Sequence, residues 1–383
     1  MRMRVFITGL VLLALLMVLA TTVRGADANP FGTQVASLDL SELHRFLDNL
    51  DQDVQRLLPR LDMSAWQLTG PNWNWPAIGR QILRYFFQEL VFNMKLLGEL
   101  MLVAMVLAIL QNLRHAFEEE NISRLAFAIC FLIIMGIVLN SFRVTFGVAR
   151  AALSEMSNFM YALVPVLFSL MVAGGGVTTA TIVHPVMIAS VEAIGGLVGG
   201  VIFPLIMFAG ILALTNYLFE GFELKKLANL LKMAALGLLG LAMAVFIGMI
   251  TIKGFAGSVA DSTALRTAKY LSNTFLPVVG GELADTMEMA VNCSTVLKSG
   301  LGLFGLGVVV VVTVFPLIKI LAVAAIYYLG GAVMQPLGNQ RLADALETVG
   351  GVFLNIFGAV AVVGLMFYIA IAILVGMAGF RMG

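Results

Sequence analysis

The sequence predicts an all-α, multi-pass membrane protein, and three observations support this fold class. Of the 383 residues, 60% are apolar. Only 12% are charged, about half the share found in soluble globular proteins. Six apolar stretches are predicted to be membrane-spanning helices, and the last four of them are long enough to cross about 30 Å of hydrocarbon. With a formal net charge of +1, this composition argues against a soluble enzyme, a disordered chain and a nucleic-acid-binding protein with a basic face.

Residues 1–28 are predicted to be a signal peptide. Arg2 and Arg4 precede an apolar run over 5–20, and small residues at Ala26 and Ala28 suit a cleavage site. An uncleaved anchor is the alternative. In both cases the following residues are expected outside the cytoplasm.

Residues 29–89 are predicted to form an extracytoplasmic amphipathic region, because leucines recur there at helical spacing. Its three tryptophans, Trp66, Trp73 and Trp75, lie within ten residues of one another. Next to a span they favour an anchor at the membrane interface. A small soluble core or a docking surface for a partner is the alternative.

Residues 90–142 are predicted to hold the first two spans and a cytoplasmic loop. Lys95 and Glu99 are four residues apart in the first span, a spacing that favours an ion pair on one helix face. The six predicted spans cover 90–113, 125–142, 194–217, 233–252, 301–328 and 349–375.

An internal repeat is predicted over residues 143–252 and 253–383. The letters FPLI at Phe203–Ile206 recur at Phe315–Ile318, an offset of 112 residues. Pro165 and Pro204 are 39 residues apart, as are Pro277 and Pro316. Lysines and arginines in the matching loops favour the cytoplasmic side, so the two copies would run in parallel and Gly383 would lie outside.

Each copy contains a proline-led segment that the sequence predicts to be broken. The first segment, 165–185, is interrupted by Gly174, Gly175 and Gly176, and the second, 277–298, contains Gly280 and several acidic residues. Irregular backbone within a membrane must be surrounded by protein or water. Two re-entrant elements facing each other are therefore expected. Alternatively, the second segment lies on the outer surface.

The sequence predicts no enzyme, cofactor or metal site. It contains neither a phosphate-binding loop nor a nucleophile elbow, and its three histidines are far apart. Glu192 and Lys319 interrupt apolar runs, which indicates a polar path or, alternatively, local pairing. His184, before Pro185, is expected to cap a turn, and Pro204 and Pro316 to act as hinges. The candidate gating residues are Pro165, Gly174, Gly175, Gly176, His184, Glu192, Pro204, Pro277, Pro316 and Lys319.

Four stretches of the sequence resemble the stage III sporulation protein AE family of endospore-forming bacteria. They are residues 163–186 (LVPVLFSLMVAGGGVTTATIVHPV), 265–280 (LRTAKYLSNTFLPVVG), 315–320 (FPLIKI) and 335–338 (QPLG). The order of the signal, the exterior region and the spans is also similar to that of the family.

The resemblance implies a non-enzymatic, multi-pass subunit in the mother-cell membrane that surrounds the forespore. It implies a transenvelope channel complex resembling secretion systems, required for spore development and for activity of the forespore sigma factor G. Partners implied are other stage III sporulation proteins of the same operon, including a secretion-type ATPase, and indirectly forespore protein Q, with no nucleic acid. From the residues alone, a stand-alone secondary transporter and a purely structural assembly platform remain alternatives.

Overall fold

The structure is a computed structural model that describes residues 39–59, 71, 73–117, 120–218, 224–275, 280–336 and 340–377. The described residues contain ten α-helices and one π-helical turn. These are α1 Ser41–Asp48, α2 Gln52–Gln55, α3 Trp75–Phe92, α4 Met94–Phe117, α5 Glu120–Ala173, α6 Val177–Leu197, the π-turn Val198–Ile202, α7 Phe203–Leu218, α8 Lys225–Phe275, α9 Gly280–Met334 and α10 Gln340–Gly376. The predicted signal peptide, Trp66, Pro277 and Gly383 lie outside the described residues.

The short helix α1 packs on α5, and the short helix α2 contacts α9. Gln55 ties them together by donating from Nε2 to the carbonyl of Leu47 at 3.1 Å. Leu43 is fully buried, and the ring of Phe46 lies 5.3 Å from that of Phe159. This part of the predicted amphipathic region therefore folds onto the helix bundle.

Helix α3 begins with a capped first turn and lies along α9. The side chain of Asn74 accepts a hydrogen bond from the N–H of Ala77, and Pro76 occupies the first turn, where no N–H is needed. The ring of Tyr85 packs edge-on against Phe315 at 4.8 Å. These contacts hold α3 against the middle of the bundle.

The first predicted span, 90–113, is not one continuous helix. Helix α3 ends at Phe92 and α4 begins at Met94. Between them Asn93 donates from its side chain to the carbonyl of Glu89 at 2.8 Å, an alternative to regular helix bonding. Within α4, Lys95 and Glu99 approach to 4.0 Å, as their spacing predicts.

Five helical segments among the described residues are long and apolar enough to cross a membrane. They are Ile129–Ala173, Val177–Tyr217, Lys225–Thr267, Val291–Met334 and Gln340–Gly376. Each has 37 to 45 residues, or about 55 to 68 Å at the α-helical rise. Hydrocarbon is about 30 Å thick, so these helices continue beyond it on at least one side.

The second predicted span, 125–142, is also longer than expected. It belongs to α5, which continues without interruption through the polar residues of 143–158 to Ala173. Polar side chains on a helix surface leave the backbone hydrogen bonds intact, so they do not end the helix. The charged and polar residues after residue 142 therefore do not mark the end of the helix.

Helices α9 and α10 form the most buried pair of the bundle. In their most apolar 18-residue windows 72% and 61% of residues are buried, against 22% in α8. The two helices are antiparallel, since Gly364 faces Thr313 while Gly350 faces Tyr328. Small residues let membrane helices approach closely, and here Gly350 and Gly364 of α10 face side chains of α9.

The two FPLI segments have similar burial but different backbones. Phe203 and Phe315 are both buried within helices. Pro204, however, follows a π-turn, whereas Pro316 lies inside the regular helix α9. Proline lacks an N–H and crowds the carbonyl four residues earlier, and a widened turn accommodates both effects. The internal repeat itself stays a prediction.

The second segment predicted to be broken is helical wherever the structure describes it. Helix α9 runs from Gly280 through Lys298 to Met334. Gly280 and Gly281 lie in its first turn, where they interrupt nothing, and acidic residues do not break a helix. The prediction of two re-entrant elements is therefore wrong for residues 280–298.

Replacing Gly364 by alanine tests the α9–α10 contact. The new Cβ would lie 2.5 Å from Cγ2 of Thr313, and such overpacking costs about 1–3 kcal/mol. We expect a lower thermal midpoint for Gly364→Ala in detergent micelles. Gly358→Ala is the matched control on the same helix, because nothing lies within 4 Å of its Cβ. Equal shifts for both variants would contradict the packing argument.

Candidate functional site

The three glycines predicted to interrupt the first segment form the turn between α5 and α6. Gly175 adopts φ +84°, a left-handed conformation that glycine tolerates best. The N–H of Gly176 donates to the carbonyl of Met171 at 2.8 Å, and that of Gly175 to Val172 at 2.9 Å. This pair of bonds is the Schellman motif, which ends α5 and sends the chain back antiparallel.

Asp261 of α8 closes the N-terminus of α6. Its carboxylate accepts hydrogen bonds from the N–H groups of Thr178 and Thr179, at 2.7 and 2.8 Å, and from the Thr179 hydroxyl at 2.6 Å. The residue at the N-cap position, Gly176, has no side chain for this role. An anion from another helix therefore satisfies the first free N–H groups and complements the positive end of the helix dipole.

Helix α9 reaches the same turn with two buried polar residues. Gly174 lies close to Ser294, because a Cβ atom added to this glycine would be 3.5 Å from Cβ of Ser294. Lys298 follows one helical turn later, so it lies on the same face of α9. It is 1% exposed, and no group among the described residues is within hydrogen-bond reach of its Nζ. A buried, unpaired ammonium is costly, so this position carries an unbalanced charge.

Glu192 has a partner that the sequence did not reveal. The hydroxyl of Tyr161 on α5 donates to Oε2 of Glu192 at 2.6 Å. The partner comes from the other arm of the α5–α6 hairpin, 31 residues earlier in the chain, so no local pattern in the sequence indicates it. This bond fixes the register of the two helices.

Lys319 also lies among partners from other helices. Its Nζ is 5.9 Å from the centre of the Tyr85 ring on α3, within the range of a cation–π contact. Glu155 on α5 is close enough to interact with it electrostatically. Lys319 is thus a shared contact of α3, α5 and α9.

The other candidate residues are spread over the bundle. Pro165 lies inside α5, where Ser169 donates to its carbonyl at 2.9 Å. His184 is inside α6 with Pro185, packed edge-on against Phe168 at 5.1 Å, so it does not cap a turn. The tertiary structure brings Gly174, Gly175 and Gly176 together with Asp261 and Ser294, and leaves His184, Glu192, Pro204, Pro316 and Lys319 elsewhere.

Trp73 is the tryptophan whose side chain the structure describes. Trp73 packs on α9, with its ring 6.5 Å from Phe304 and against the backbone at Gly307. Trp75 begins α3, and Trp66 lies outside the described residues. Trp73 is therefore a packing residue of the bundle and not part of a free docking surface.

Sequence reasoning missed Asp261 and Lys298 as site residues. Each is a charged residue close to an apolar run, and that is the signal that could have identified them. The charge pattern predicted that both residues lie in loops or outer segments, so neither was considered as a residue inside the bundle. Among the residues that the structure describes, no group of three or more His, Cys, Asp or Glu side chains could hold a metal ion.

The fold and these sites define the class: a multi-pass membrane helix bundle with buried polar contacts between its helices. Within that class, the chain belongs to the stage III sporulation protein AE family, whose model matches residues 66–378. A relative of that name from Bacillus subtilis (strain 168) is 33% identical over 343 residues, which cover 89% of this chain and 86% of the relative. No solved structure matches the chain.

Removing the carboxylate of Asp261 should weaken the α6–α8 contact. Asp261→Ala leaves two buried N–H groups and one hydroxyl without an acceptor, which costs about 3 kcal/mol. We expect a clearly lower thermal midpoint in detergent. Thr181→Ala, which removes an exposed hydroxyl bonded within α6 itself, should change the midpoint little. A wild-type midpoint for Asp261→Ala would disprove the cap.

Replacing the ammonium of Lys298 should stabilise the fold. Lys298→Met keeps the length of the side chain and removes an unpaired buried charge, so stability should rise by about 1–3 kcal/mol. Lys253→Met, at an exposed lysine of α8, is the control. Thermal unfolding of the purified proteins measures both changes. A less stable Lys298→Met protein would mean that the ammonium has a partner.

Proposed function

We propose that this protein is a non-enzymatic membrane subunit of a channel or secretion-like complex between mother cell and forespore. Membership of the stage III sporulation protein AE family supports a role in sporulation. One observation carries the proposal further: the five apolar helices of 37 to 45 residues are about twice as long as hydrocarbon requires. Such helices suit a subunit that joins a membrane to an assembly beyond it.

The proposed location is the mother-cell membrane around the forespore. The proposed partners are the other stage III sporulation proteins, including a secretion-type ATPase, and indirectly forespore protein Q. An ATPase partner would supply energy that this chain has no sequence motif to provide. Late forespore development depends on the complex, and so does the activity of the forespore sigma factor G.

A stand-alone transporter is less well supported by the contacts. Glu192 is hydrogen-bonded to Tyr161, and Lys319 lies against the ring of Tyr85. Both charged side chains therefore make contacts between helices. A purely structural platform would need a surface on which partners dock, and Trp73, one of the candidate residues for such a surface, is packed on α9. A channel subunit needs neither an exposed ion site nor a tryptophan docking surface.

Deleting the gene in the organism that encodes this chain tests the proposal. We expect loss of heat-resistant spores and of a reporter driven by forespore sigma factor G, with both restored by the wild-type gene. Affinity purification from sporulating membranes should recover the secretion-type ATPase. Glu192→Gln should leave sporulation near wild type, because glutamine can still accept the bond from Tyr161. Normal spores in the deletion strain, or a chain purified without partners, would count against the proposal.

A further inference from the structure

Helix α9 passes through the middle of the bundle and gives a common scale for the levels of its neighbours. Thr313 of α9 donates to the sulfur of Met156 at 3.2 Å, and Tyr327 donates to Ser141 at 2.7 Å. Both partners are on α5, which therefore runs antiparallel to α9. Residues 141–156 of α5 thus lie at the level between Thr313 and Tyr327.

Helix α8 reaches the same level on another side of the bundle. Phe367 of α10, one turn after the glycine that faces Thr313, packs on Phe246 of α8 at 6.3 Å. Two turns further along α8, Gly254 faces Met377, so α8 runs parallel to α10. The residues of α8 that precede Phe246 therefore lie beside this same part of α9. Helices α4 and α5 pack on each other and on α9, whereas α8 packs mainly on α6 and α7.

The two sides carry different side chains at this level. On α5, Arg143 and Arg150 are exposed. On α8, residues 233–252 include no charged side chain, and Leu241 and Val245 are more than half exposed. A membrane perpendicular to the helices would put both surfaces in the same medium. Arginine is unfavourable in hydrocarbon, and apolar surface is unfavourable in water, so the medium differs between the two sides.

A second apolar surface lies beyond this level, on α4 and α5. Leu97 and Leu100 of α4 lie against α9 at Gly330. Since Tyr85 of α3 lies at Phe315, the chain advances along α9 from α3 to α4. The exposed apolar residues farther out on the α4–α5 hairpin are Met101, Leu102, Met105, Val106, Ile109, Ile129, Leu132 and Ile133.

The two apolar surfaces are offset along the bundle axis. Gly330 and Thr313 are 17 residues apart on α9, or about 25 Å at the helical rise. Helices α4 and α8 are three helix spacings apart through α9 and α10, or about 27 Å. One bilayer covers both surfaces if the helices tilt by about 40°, at the upper end of the range for membrane helices.

The length of the helices agrees with such an oblique crossing. A helix tilted by about 40° needs about 26 residues to cross hydrocarbon, against about 20 when upright. The exposed apolar residues of α8 extend over 30 residues, from Leu230 to Val259. Lys232 and Lys253 interrupt them towards either end, where a long side chain can reach the headgroups. Tilting accommodates an apolar stretch that is longer than the hydrocarbon is thick.

We propose that acyl chains cover the bundle along an oblique belt, so that its helices cross the membrane at about 40°. The belt covers α8 from Leu230 to Val259 and, on the other side, the α4–α5 hairpin beyond Gly330. Lipid is the occupant because the uncharged stretches 125–142 of α5 and 233–252 of α8 each approach the hydrocarbon thickness and are bounded by arginines or lysines. The charged part of α5 then lies outside the belt. The inference uses the membrane character of the chain and is independent of the proposed channel function.

Single cysteines that carry a bimane fluorophore test the position of this belt. The background is Cys130→Ala with Cys293→Ala, which removes both free thiols. The full chain in phosphatidylcholine vesicles is labelled at Met105→Cys of α4, Leu241→Cys of α8 or Arg150→Cys of α5. Lipids brominated on their acyl chains should quench the first two labels. Iodide on both sides of the membrane should quench the Arg150→Cys label about a hundredfold more than those two, because hydrocarbon excludes charge.

Each other pattern would overturn the oblique belt. Iodide quenching at Leu241→Cys would place α8 in water, and at Met105→Cys it would place the hairpin there. Quenching of all three labels by brominated lipid would mean that acyl chains surround the bundle at every level. A label that neither agent quenches would mean that protein covers that surface. Where the thermal midpoint shows that a variant has not folded, the replacement positions are Val106→Cys, Val245→Cys and Arg143→Cys.

Polarised infrared spectra of the wild-type chain in aligned bilayers measure the tilt without any substitution. We expect a mean helix tilt of about 40°, and the common value of about 20° would contradict the proposal. Neither measurement depends on spore formation, so this inference and the proposed function can each fail while the other stands.

Discussion

Helix α9 is apolar around most of its circumference, and the rest of the bundle depends on its burial. Its most apolar window is the most buried of the five candidate spans. Helices α3, α5 and α10 each contribute aromatic or hydroxyl contacts to it, such as the bond from Tyr327 to Ser141 at 2.7 Å. Within a bilayer, packing and hydrogen bonds of this kind replace the hydrophobic effect as the force between helices. The glycines of α10 make the closest of these approaches possible.

Several polar contacts of the bundle join side chains on two different helices. Tyr161 and Glu192 fix the α5–α6 hairpin, and Asp261 fixes the start of α6 against α8. In a low-dielectric interior such bonds are strong, and a group left unpaired is expensive. They therefore specify helix register better than apolar packing alone. Lys298 departs from this pattern, since its charge is buried without a described partner.

The length of the helices has a structural consequence for the membrane. Segments of 37 to 45 residues cannot lie wholly within hydrocarbon unless they tilt strongly. At the level of Tyr85 and Phe246 the two sides of the bundle also differ, with arginines on α3 and uncharged residues on α8.

The sequence alone determined that this chain is a bundle of membrane helices, because a bilayer leaves an apolar segment no other way to satisfy its backbone. It also located the turn at Gly174, Gly175 and Gly176, since a run of glycine favours a left-handed residue that ends a helix. Sequence patterns could not place the helix ends around residue 142 or within 280–298, because polar residues do not break a helix. Only the tertiary structure decided that Glu192 meets Tyr161 and that Asp261 caps α6. Those partners are separated by 31 and 82 residues, and contacts at such distances follow from how helices pack and not from any local pattern.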